Sequence, residues 1–329
     1  MGSTATSLVL GVATRLPPSM FGPFARSLRR TGFRGQLGLI VGHYDREALR
    51  ALESLADFVI LVDDQYPSGV ATRRAVIPLL SRARSTRGMR RFYPTVFRTA
   101  VAFGGTRNRR TRWRSLEFEL EGLQALRYGH YERLLRENAP DAVEVLLTDV
   151  RDVLFQRDPF ELPVENLEVF LEEPTQTIGT DPFNSRWVRN LYGAAELAAL
   201  GDRVVSCSGT VIGRRDGILH YLSVMRDAMN AYYRPLGSHD QGAHNYLLYR
   251  HELGAATVVP NGTGRVLTMG AMVEVRRNDR GLVLNNDGTV PAVLHQYDRH
   301  PSMVGDLIAG LAPDAQTGDV ARGANVGQS

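Results

Sequence analysis

Two aspartates three residues apart follow a short aliphatic stretch near the middle of the chain. Residues 143–147 are apolar with one interruption, and Asp149 and Asp152 come shortly after them. Such a run is typical of a buried strand, and open α/β sheets bind ligands at the carboxyl ends of their strands. Two carboxylates this close repel each other unless a positive group lies between them, most simply a divalent cation. The stretch therefore indicates a metal site. The alternative is a turn-capping Asp149 and an Asp152 that pairs with Arg151 or Arg157.

The segments that would position these carboxylates alternate between strand and helix. No G-x-G-x-x-G sequence follows the first apolar run, and Gly11 within that run is not part of one, so we do not expect a dinucleotide site of the Rossmann type. The alternation predicts a parallel sheet with right-handed crossovers. The first part of the chain has predicted strands at residues 8–13, 35–42 and 58–62 and predicted helices at residues 21–30 and 45–56.

Further polar groups end predicted elements in the second part of the chain. The small residues 206–209 would let a backbone approach a ligand closely, and His295 ends a short apolar strand. We expect a strand at residues 167–172 and helices at residues 116–138, 181–200, 217–233 and 241–249. Together these elements predict an α/β domain at residues 1–310, with a central, mostly parallel sheet flanked by helices. A smaller mixed C-terminal part and a disordered polar tail at residues 311–329 complete the prediction.

Composition limits the available chemistry. The 329 residues are 43% hydrophobic and 22% charged, which is ordinary for a globular protein. Cys207 is the only cysteine, so a disulfide framework and a thiolate-rich metal site are excluded. All 39 basic residues are arginine, which excludes lysine Schiff bases and leaves arginine, histidine, backbone N–H groups or a metal to hold phosphate.

The location of the protein is predicted from its apolar runs. No run approaches the roughly 20 residues that a membrane helix needs, and residues 8–13 lack the basic residues that precede a signal sequence. We therefore expect a cytoplasmic protein without a transmembrane segment, with a peripheral position at the membrane as an alternative.

An arginine-rich run at residues 107–114 includes one tryptophan. A run of this kind could bind nucleic acid. A solvated loop beside an anionic substrate is the interpretation that we favour, so we do not expect nucleic acid as a partner.

Four polar stretches follow one another in a fixed order. They are Thr148-Asp149-Val150-Arg151-Asp152, Ser206-Cys207-Ser208-Gly209, Asp240-Gln241-x-x-x-Asn245 and Leu294-His295-Gln296-Tyr297. The order resembles that of the GT-A fold nucleotide-sugar glycosyltransferases, especially the glycogenin-like and lipopolysaccharide galactosyltransferase-like families, over roughly residues 8–300. Two features depart from those families: the aspartates form D-x-x-D instead of D-x-D, and the late lysine is absent.

The resemblance implies a GT-A-type, Rossmann-like fold and a metal-dependent glycosyltransferase. The enzyme would move a sugar from a nucleoside diphosphate sugar to a hydroxyl of a glycan, a lipid-linked molecule or a small molecule. The implied cofactor is Mn²⁺ or Mg²⁺, held by Asp149, Asp152 and His295, and it would stabilise the leaving diphosphate. Aligning the end of the motif puts Asp152 on the family's second carboxylate, which leaves Asp149 to bind the ribose or to reach the metal through water.

The resemblance also implies contacts to the rest of the donor. Arg127 would contact the phosphates or the sugar, although a surface arginine on a helix is an equal alternative. Asp240, Ser208 and Gly209 would surround the sugar, and Arg299 or His300 would replace the late lysine. The base would lie over the end of the first strand, near Ala13, Thr14 and Arg15, with Asp63 and Asp64 close by.

Other classes and purely structural roles are the alternatives. A haloacid-dehalogenase-type phosphatase needs D-x-D near its first strand, and a nucleotidyltransferase usually has a glycine-rich basic signature there. A nucleic-acid-binding module would depend on the arginine run alone. Among single residues, we expect His239 and His244 to cap or solvate a helix, Tyr297 to be a core residue and Cys207 to be a packed thiol.

Overall fold

A computed structural model describes residues 6–14, 16–44, 46–62, 72–86, 89, 92–103, 114–116, 118–120, 123–124, 126–231 and 239–309. The strands are β1 (Thr6–Thr14), β2 (Gln36–Gly42), β3 (Phe58–Leu61), β4 (Ala142–Asp149), β5 (Val153–Phe155), β6 (Leu167–Leu171), β7 (Ser206–Arg214), β8 (Thr257–Val259), β9 (Val266–Thr268) and β10 (Val293–His295). The α-helices are α1 (Pro18–Arg30), α2 (Arg46–Glu53), α3 (Ile77–Ser85), α4 (Tyr93–Phe103), α5 (Arg127–Glu137), α6 (Pro182–Tyr192), α7 (Ala194–Leu200), α8 (Arg215–Ala231), α9 (Asp240–Tyr249) and α10 (Pro301–Ala309).

The central sheet has seven strands in the order β3-β2-β1-β4-β7-β6-β8. Strands β1 to β4 pair in parallel, as do β6 and β8, whereas β7 is antiparallel to both of its neighbours. The predicted α/β class with a mostly parallel central sheet is therefore confirmed. The reversal of β7 has a consequence for the site, because it brings the start of β7 beside the carboxyl end of β4.

Both faces of the sheet are buried, which explains why its strands are continuously apolar. Leu10 and Leu147 are paired neighbours on β1 and β4 and belong to one core cluster, whereas the adjacent pair Val9 and Leu146 belongs to another. Successive residues of a strand point to opposite faces, so a strand between two layers needs apolar residues at every position. Helices cover both faces and hold the carboxyl ends of β1 and β4 in a fixed place.

A second sheet of three strands, in the order β5-β10-β9, lies beside the central one. Strand β10 is antiparallel to β5 and parallel to β9, so the predicted smaller part is mixed, as expected. Strand β5 starts four residues after β4 ends, and the turn between the two sheets contains Asp152. The short apolar triplet Val153–Phe155 thereby fixes the direction in which the chain leaves Asp149.

Two predicted helices are wrong in their extent. The helix predicted at residues 181–200 is two helices, α6 and α7, because Gly193 adopts φ 94°, a left-handed conformation that interrupts the helix. The helix predicted at residues 116–138 is interrupted: residues 114–116 and 118–120 are helical, a turn follows at residues 123, 124 and 126, and α5 begins at Arg127. Leu116 packs in a different core cluster from Leu123 and Leu126, and a turn at residues 123, 124 and 126 redirects the chain between the two clusters.

The described part of residues 72–103, for which the sequence analysis gave no helix, is mostly helical. A π-helix at Thr72–Val76 leads into α3, and α4 follows. Leu80, Phe97 and Val101 are buried there in a small cluster of their own. The arginine-rich run lies outside the described residues except for Arg114, and so does the predicted tail at residues 311–329. Among the described helices, none is both long and apolar enough to cross a membrane.

Two buried histidines make the fold sensitive to acid. His244 is fully buried on α9, where its Nε2 lies 2.9 Å from Ser206 Oγ and its Nδ1 lies 3.1 Å from the Tyr221 hydroxyl. Burial, together with the positive charge of Arg127, lowers the pKa of His244 to about 3. Burial and Arg133 lower the pKa of His130 to about 4. The expectation that His244 caps or solvates a helix is therefore wrong, because the residue belongs to the core.

We expect His130 and His244 to lower the free energy of unfolding as the pH falls through about 6.5, the usual pKa of histidine, whereas His295, whose pKa is raised, acts in the opposite direction. Below that pH the unfolded chain binds a proton at each histidine, whereas the folded protein leaves His130 and His244 neutral until about pH 4 and about pH 3. Each of these two histidines should therefore lower the free energy of unfolding by about 1.4 kcal/mol when the pH falls from about 7.5 to about 5.5. Urea unfolding at the two pH values would measure this difference. The substitution His244→Gln should change this difference by about 1.4 kcal/mol, because it removes the contribution of His244, while His220→Gln, at an exposed position, should leave it unchanged.

Candidate functional site

A cavity of about 370 Å³ opens at the carboxyl ends of β1 and β4. Val12, Thr14 and Leu16 line it at the end of β1, and Asp149 to Asp152 line it at the end of β4. The start of β7, the start of α9 and the end of β10 complete the wall. Parallel sheets bind ligands at this edge, so the cavity lies where the sequence predicted a site.

Asp149, Asp152 and His295 meet at the floor of this cavity. His295 Nε2 lies 3.8 Å from Asp149 Oδ2 and 3.9 Å from Asp152 Oδ1. Each of the three residues offers one ligand atom, and these atoms all lie within 4.8 Å of one another. His295 is 1% exposed, and its Nε2 has no hydrogen-bond partner among the described residues. A buried imidazole nitrogen directed at two carboxylates is an arrangement that fits a divalent cation.

The alternative pairing predicted for Asp152 is also present. Arg151 Nη2 lies 3.2 Å from Asp152 Oδ2 and 3.5 Å from Asp298 Oδ2. Because the Arg151 side chain is 45% exposed, this pair is screened by solvent and contributes little to stability. The other oxygen of Asp152 faces His295, so the arginine contact and the cluster with Asp149 exist together.

Gly209 makes the close approach of these groups possible. A Cβ at this position would lie 2.6 Å from Asp149 Oδ2 and 2.9 Å from His295 Nε2, so a side chain there would displace one of these groups. The ring of His295 is fixed from its other side by Cys207, whose Sγ lies 3.5 Å from Nδ1. The Cys207 thiol is buried, as predicted, and it also contributes to the cavity wall. The small residues at 206–209 therefore make room for the cluster itself.

The charged groups in the cluster shift one another's pKa values. Burial raises the pKa of the Asp149 carboxyl, but Arg127 and His295 outweigh this effect and lower it to about 2. The pKa of Asp152 is raised, because burial and the charge of Asp149 outweigh the effect of His295. Burial favours a neutral His295, yet Cys207 and the two carboxylates outweigh burial and raise the pKa of His295 above its usual value. These shifts favour a protonated imidazole beside the aspartates.

Arg127 connects three elements behind the cluster. Its Nη1 donates to Asp149 Oδ1 at 2.7 Å, and its Nη2 donates to Asp240 Oδ2 at 2.8 Å and to the Ser208 carbonyl at 3.1 Å. The Tyr128 hydroxyl donates to the same Asp240 oxygen at 3.1 Å. Arg127 is the first residue of α5 and is 5% exposed, so it is not a surface arginine.

Most of the predicted site residues that the structure describes lie at this cavity. Ala13 is an exception, because it is fully buried in the core beneath the sheet edge. Arg299 is also outside the lining; it is exposed, and its nearest acidic partner is Asp298 at 3.7 Å. Arg15, Asp63 and Asp64 lie outside the described residues. The predicted residues that line the cavity are Thr14, Arg127, Asp149, Asp152, Ser208, Gly209, Asp240 and His295.

Sequence reasoning missed part of the wall. Trp187 on α6 and Gln241 on α9 both line the cavity. Gln241 belongs to a motif that the sequence analysis identified, so a signal was present, whereas Trp187 gave no local signal. His239 immediately precedes α9 and is fully buried without a capping hydrogen bond, which contradicts the expected capping or solvated role. Tyr297 is buried in a core cluster, as expected.

The chain matches no protein-family model, and no curated protein matches it significantly. The interpretation of the cavity therefore depends on its geometry and chemistry.

We expect Mn²⁺ to stabilise the protein and to release a proton when it binds. The ion requires a neutral imidazole, and the raised pKa of His295 means that a proton must leave near neutral pH. Apparent affinity should therefore fall as the pH is lowered, beginning above about pH 6.5. Calorimetry in buffers of different ionisation enthalpy should detect up to about one proton per ion at about pH 7.

Two histidine variants distinguish whether His295 is a metal ligand or a core residue. His295→Ala should weaken Mn²⁺ binding by at least about tenfold and abolish the proton release. His220→Ala removes a histidine remote from the cavity and should change neither quantity. Equal Mn²⁺ affinity in the wild type and in His295→Ala would mean that the cluster does not hold the ion.

We expect Arg127 to be essential for stability because it neutralises a buried carboxylate. Arg127→Met leaves Asp240 buried without its partner and should cost about 3–5 kcal/mol of unfolding free energy. The double variant Arg127→Met/Asp240→Leu should lose less than Arg127→Met alone, since it removes both buried charges. Arg136→Met on the same helix breaks an exposed pair with Glu132 and should cost no more than about 1 kcal/mol. Chemical denaturation of the wild type and these variants would test this order.

Proposed function

We propose that the protein is a metal-dependent glycosyltransferase that moves a sugar from a nucleoside diphosphate sugar to an acceptor hydroxyl. The observation that carries the proposal is the meeting of four separate sequence segments in one cavity. Four different parts of the chain line the same space, and they contribute Asp149 and Asp152, Ser208 and Gly209, Asp240, and His295. The order of those segments is the one that resembles GT-A fold glycosyltransferases, and the α/β fold with its site at the strand ends is compatible with that class.

The charge balance of such a reaction matches this lining. The acceptor oxygen forms a bond to the anomeric carbon while the bond from that carbon to the diphosphate breaks. The diphosphate leaves with the electron pair, and the hydroxyl proton passes to a base in the site or to solvent. Because the leaving group gains negative charge, fixed positive charge beside it lowers the barrier. A buried arginine and a cation-binding cluster in one cavity meet this requirement.

The carboxylates and the histidine would hold the cation. Asp149, Asp152 and His295 would bind Mn²⁺ or Mg²⁺, and the imidazole favours Mn²⁺. When bound, the ion would neutralise the diphosphate and stabilise it as a leaving group. The low pKa of Asp149 keeps this carboxylate ionised at every physiological pH, which is the form that a cation requires.

The other residues would position the donor. Arg127 holds Asp149 and Asp240 in place and itself lines the cavity. Asp240 and the backbone at Ser208 and Gly209 would surround the sugar. Thr14 lies at the opposite end with the apolar Val12 and Leu16, and this end offers a surface suited to the nucleoside.

The proposal is tested first by nucleotide binding. UDP-, GDP-, ADP- and TDP-sugars are screened with Mn²⁺ by thermal shift, and a ligand at 100 times its Kd should add about 2.7 kcal/mol. The selected nucleoside diphosphate should bind much more weakly in EDTA, because a cation held by Asp149, Asp152 and His295 would neutralise its charge. Equal calorimetric affinity with and without EDTA contradicts the metal-bridged site.

Turnover separates this reaction from its alternatives. Asp152→Asn should reduce sugar transfer by about 10²–10³-fold, the usual cost of losing a leaving-group stabiliser. Release of phosphate from p-nitrophenyl phosphate without any sugar-nucleotide binding would indicate a phosphatase instead. Formation of a nucleotide sugar from a sugar phosphate and a nucleoside triphosphate would indicate a nucleotidyltransferase.

A further inference from the structure

Two aromatic rings continue the cavity wall outward on the side of α6. Trp187 lines the cavity, and Phe183 lies one turn earlier on the same helix. Their ring centroids are 5.9 Å apart with a tilt of 41°. The side chain of Phe183 is among the large apolar side chains left exposed, at 55%, although Arg186 stacks over its ring at 5.4 Å. A large exposed aromatic ring beside a polar cavity is a common feature of ligand-binding surfaces.

The position of Trp187 is fixed by its surroundings. A Cβ on Gly242 would lie 2.7 Å from the Cβ of Trp187, so the absence of a side chain there lets α6 pack closely on α9. The Trp187 ring lies 6.2 Å from the ring of His239. Asn184, also on α6, accepts a hydrogen bond from Gln241 at 3.4 Å. The helix that carries the aromatic rings is therefore attached directly to the segment that carries Asp240.

The two ends of the cavity differ in chemistry. At one end, Val12 lies near the end of β1 and Leu16 comes just after that strand; at the other end, Trp187 lies beside the start of α9. Strand β4 lies between β1 and β7 in the sheet, and its carboxylates occupy the middle of the cavity. With a diphosphate at the carboxylates and its nucleoside toward β1, the Trp187 end is left for the second substrate. At that end, Trp187 lies close to Asp240 and Gln241. The side chains of these two residues are of types that hydrogen-bond to hydroxyl groups.

We propose that Trp187 and Phe183 form an acceptor-binding platform for a saccharide. One face of a pyranose ring is made of C–H groups and packs against aromatic rings, while its hydroxyls require polar partners such as Asp240 and Gln241. The exposed Phe183 extends the apolar surface beyond the cavity, so the platform suits an acceptor with more than one sugar residue. This assignment rests on the proposed glycosyl transfer and names the class of its acceptor.

The test measures acceptor binding and donor binding separately. The acceptor probes are lactose and the methyl glycosides of glucose, galactose, mannose and N-acetylglucosamine. Binding is followed by the fluorescence of Trp187 in a Trp113→Phe background, which leaves Trp187 as the single tryptophan. Calorimetry gives the affinity of each variant for the best probe and, in the presence of Mn²⁺, for the nucleoside diphosphate selected by the thermal-shift screen.

A saccharide platform predicts a specific pattern among the variants. Trp187→Ala should weaken the best acceptor by about tenfold or more and Phe183→Ala should weaken lactose more than a methyl glycoside, while nucleotide affinity stays the same. Trp187→Phe should restore part of the acceptor affinity. Phe92→Ala removes another exposed ring, 51% exposed and outside the cavity lining, and should change neither affinity.

Three results would overturn the platform. Nucleotide affinity that falls in Trp187→Ala without loss of acceptor binding would mean that the ring stacks on the base. Unchanged acceptor affinity in Trp187→Ala would mean that the ring is structural. No response of Trp187 fluorescence to any probe would exclude the saccharide class. Failure of the wild-type protein to bind any nucleotide with Mn²⁺ would instead contradict the proposed transfer itself, and the donor measurement detects this case independently.

Discussion

The buried guanidinium of Arg127 is the interaction on which the arrangement of the site depends. It joins the end of β4, the start of β7 and the start of α9 through Asp149, the Ser208 carbonyl and Asp240. Each acceptor is held at a distance of 2.7 to 3.1 Å, and the arginine itself is 5% exposed. A charge buried to this degree is tolerable only because it is paired, so the three elements and the arginine require one another.

Charge balance explains why the cluster contains a histidine. Asp149, Asp152 and Asp240 bring three negative charges into a small volume, whereas Arg127 shares its single positive charge between Asp149 and Asp240, and the half-exposed Arg151 pairs with Asp152. The raised pKa of His295 favours its protonated form, which adds positive charge beside the aspartates. A divalent cation would take over that role and release the proton. The His295 side chain can therefore keep the cavity close to electrical balance with or without a bound cation, which a carboxylate at the same position could not do.

Local sequence patterns predicted the sheet and its carboxylates well, because both depend on neighbouring residues. The apolar run before Asp149 forms β4, and the Val-Leu pair before His295 forms β10. The features that the sequence did not predict are contacts between distant residues. The ion pair of Arg127 with Asp240 joins residues 113 positions apart, and Trp187 is fixed by Gly242 from another helix. The break at Gly193 is local, because that glycine adopts a positive φ, whereas the turn before α5 separates residues that pack in two different core clusters.

The reversal of β7 is what allows small residues to meet carboxylates. In an entirely parallel sheet, the start of a neighbouring strand would lie at the edge opposite the end of β4. Because β7 is antiparallel to β4, Thr148 pairs with Thr210, and Gly209 lies directly beside Asp149. Gly209 then provides the space in which Asp149 and His295 approach each other, and the Ser208 carbonyl receives Arg127. The order of strands alone could not create this site; the direction of one strand does.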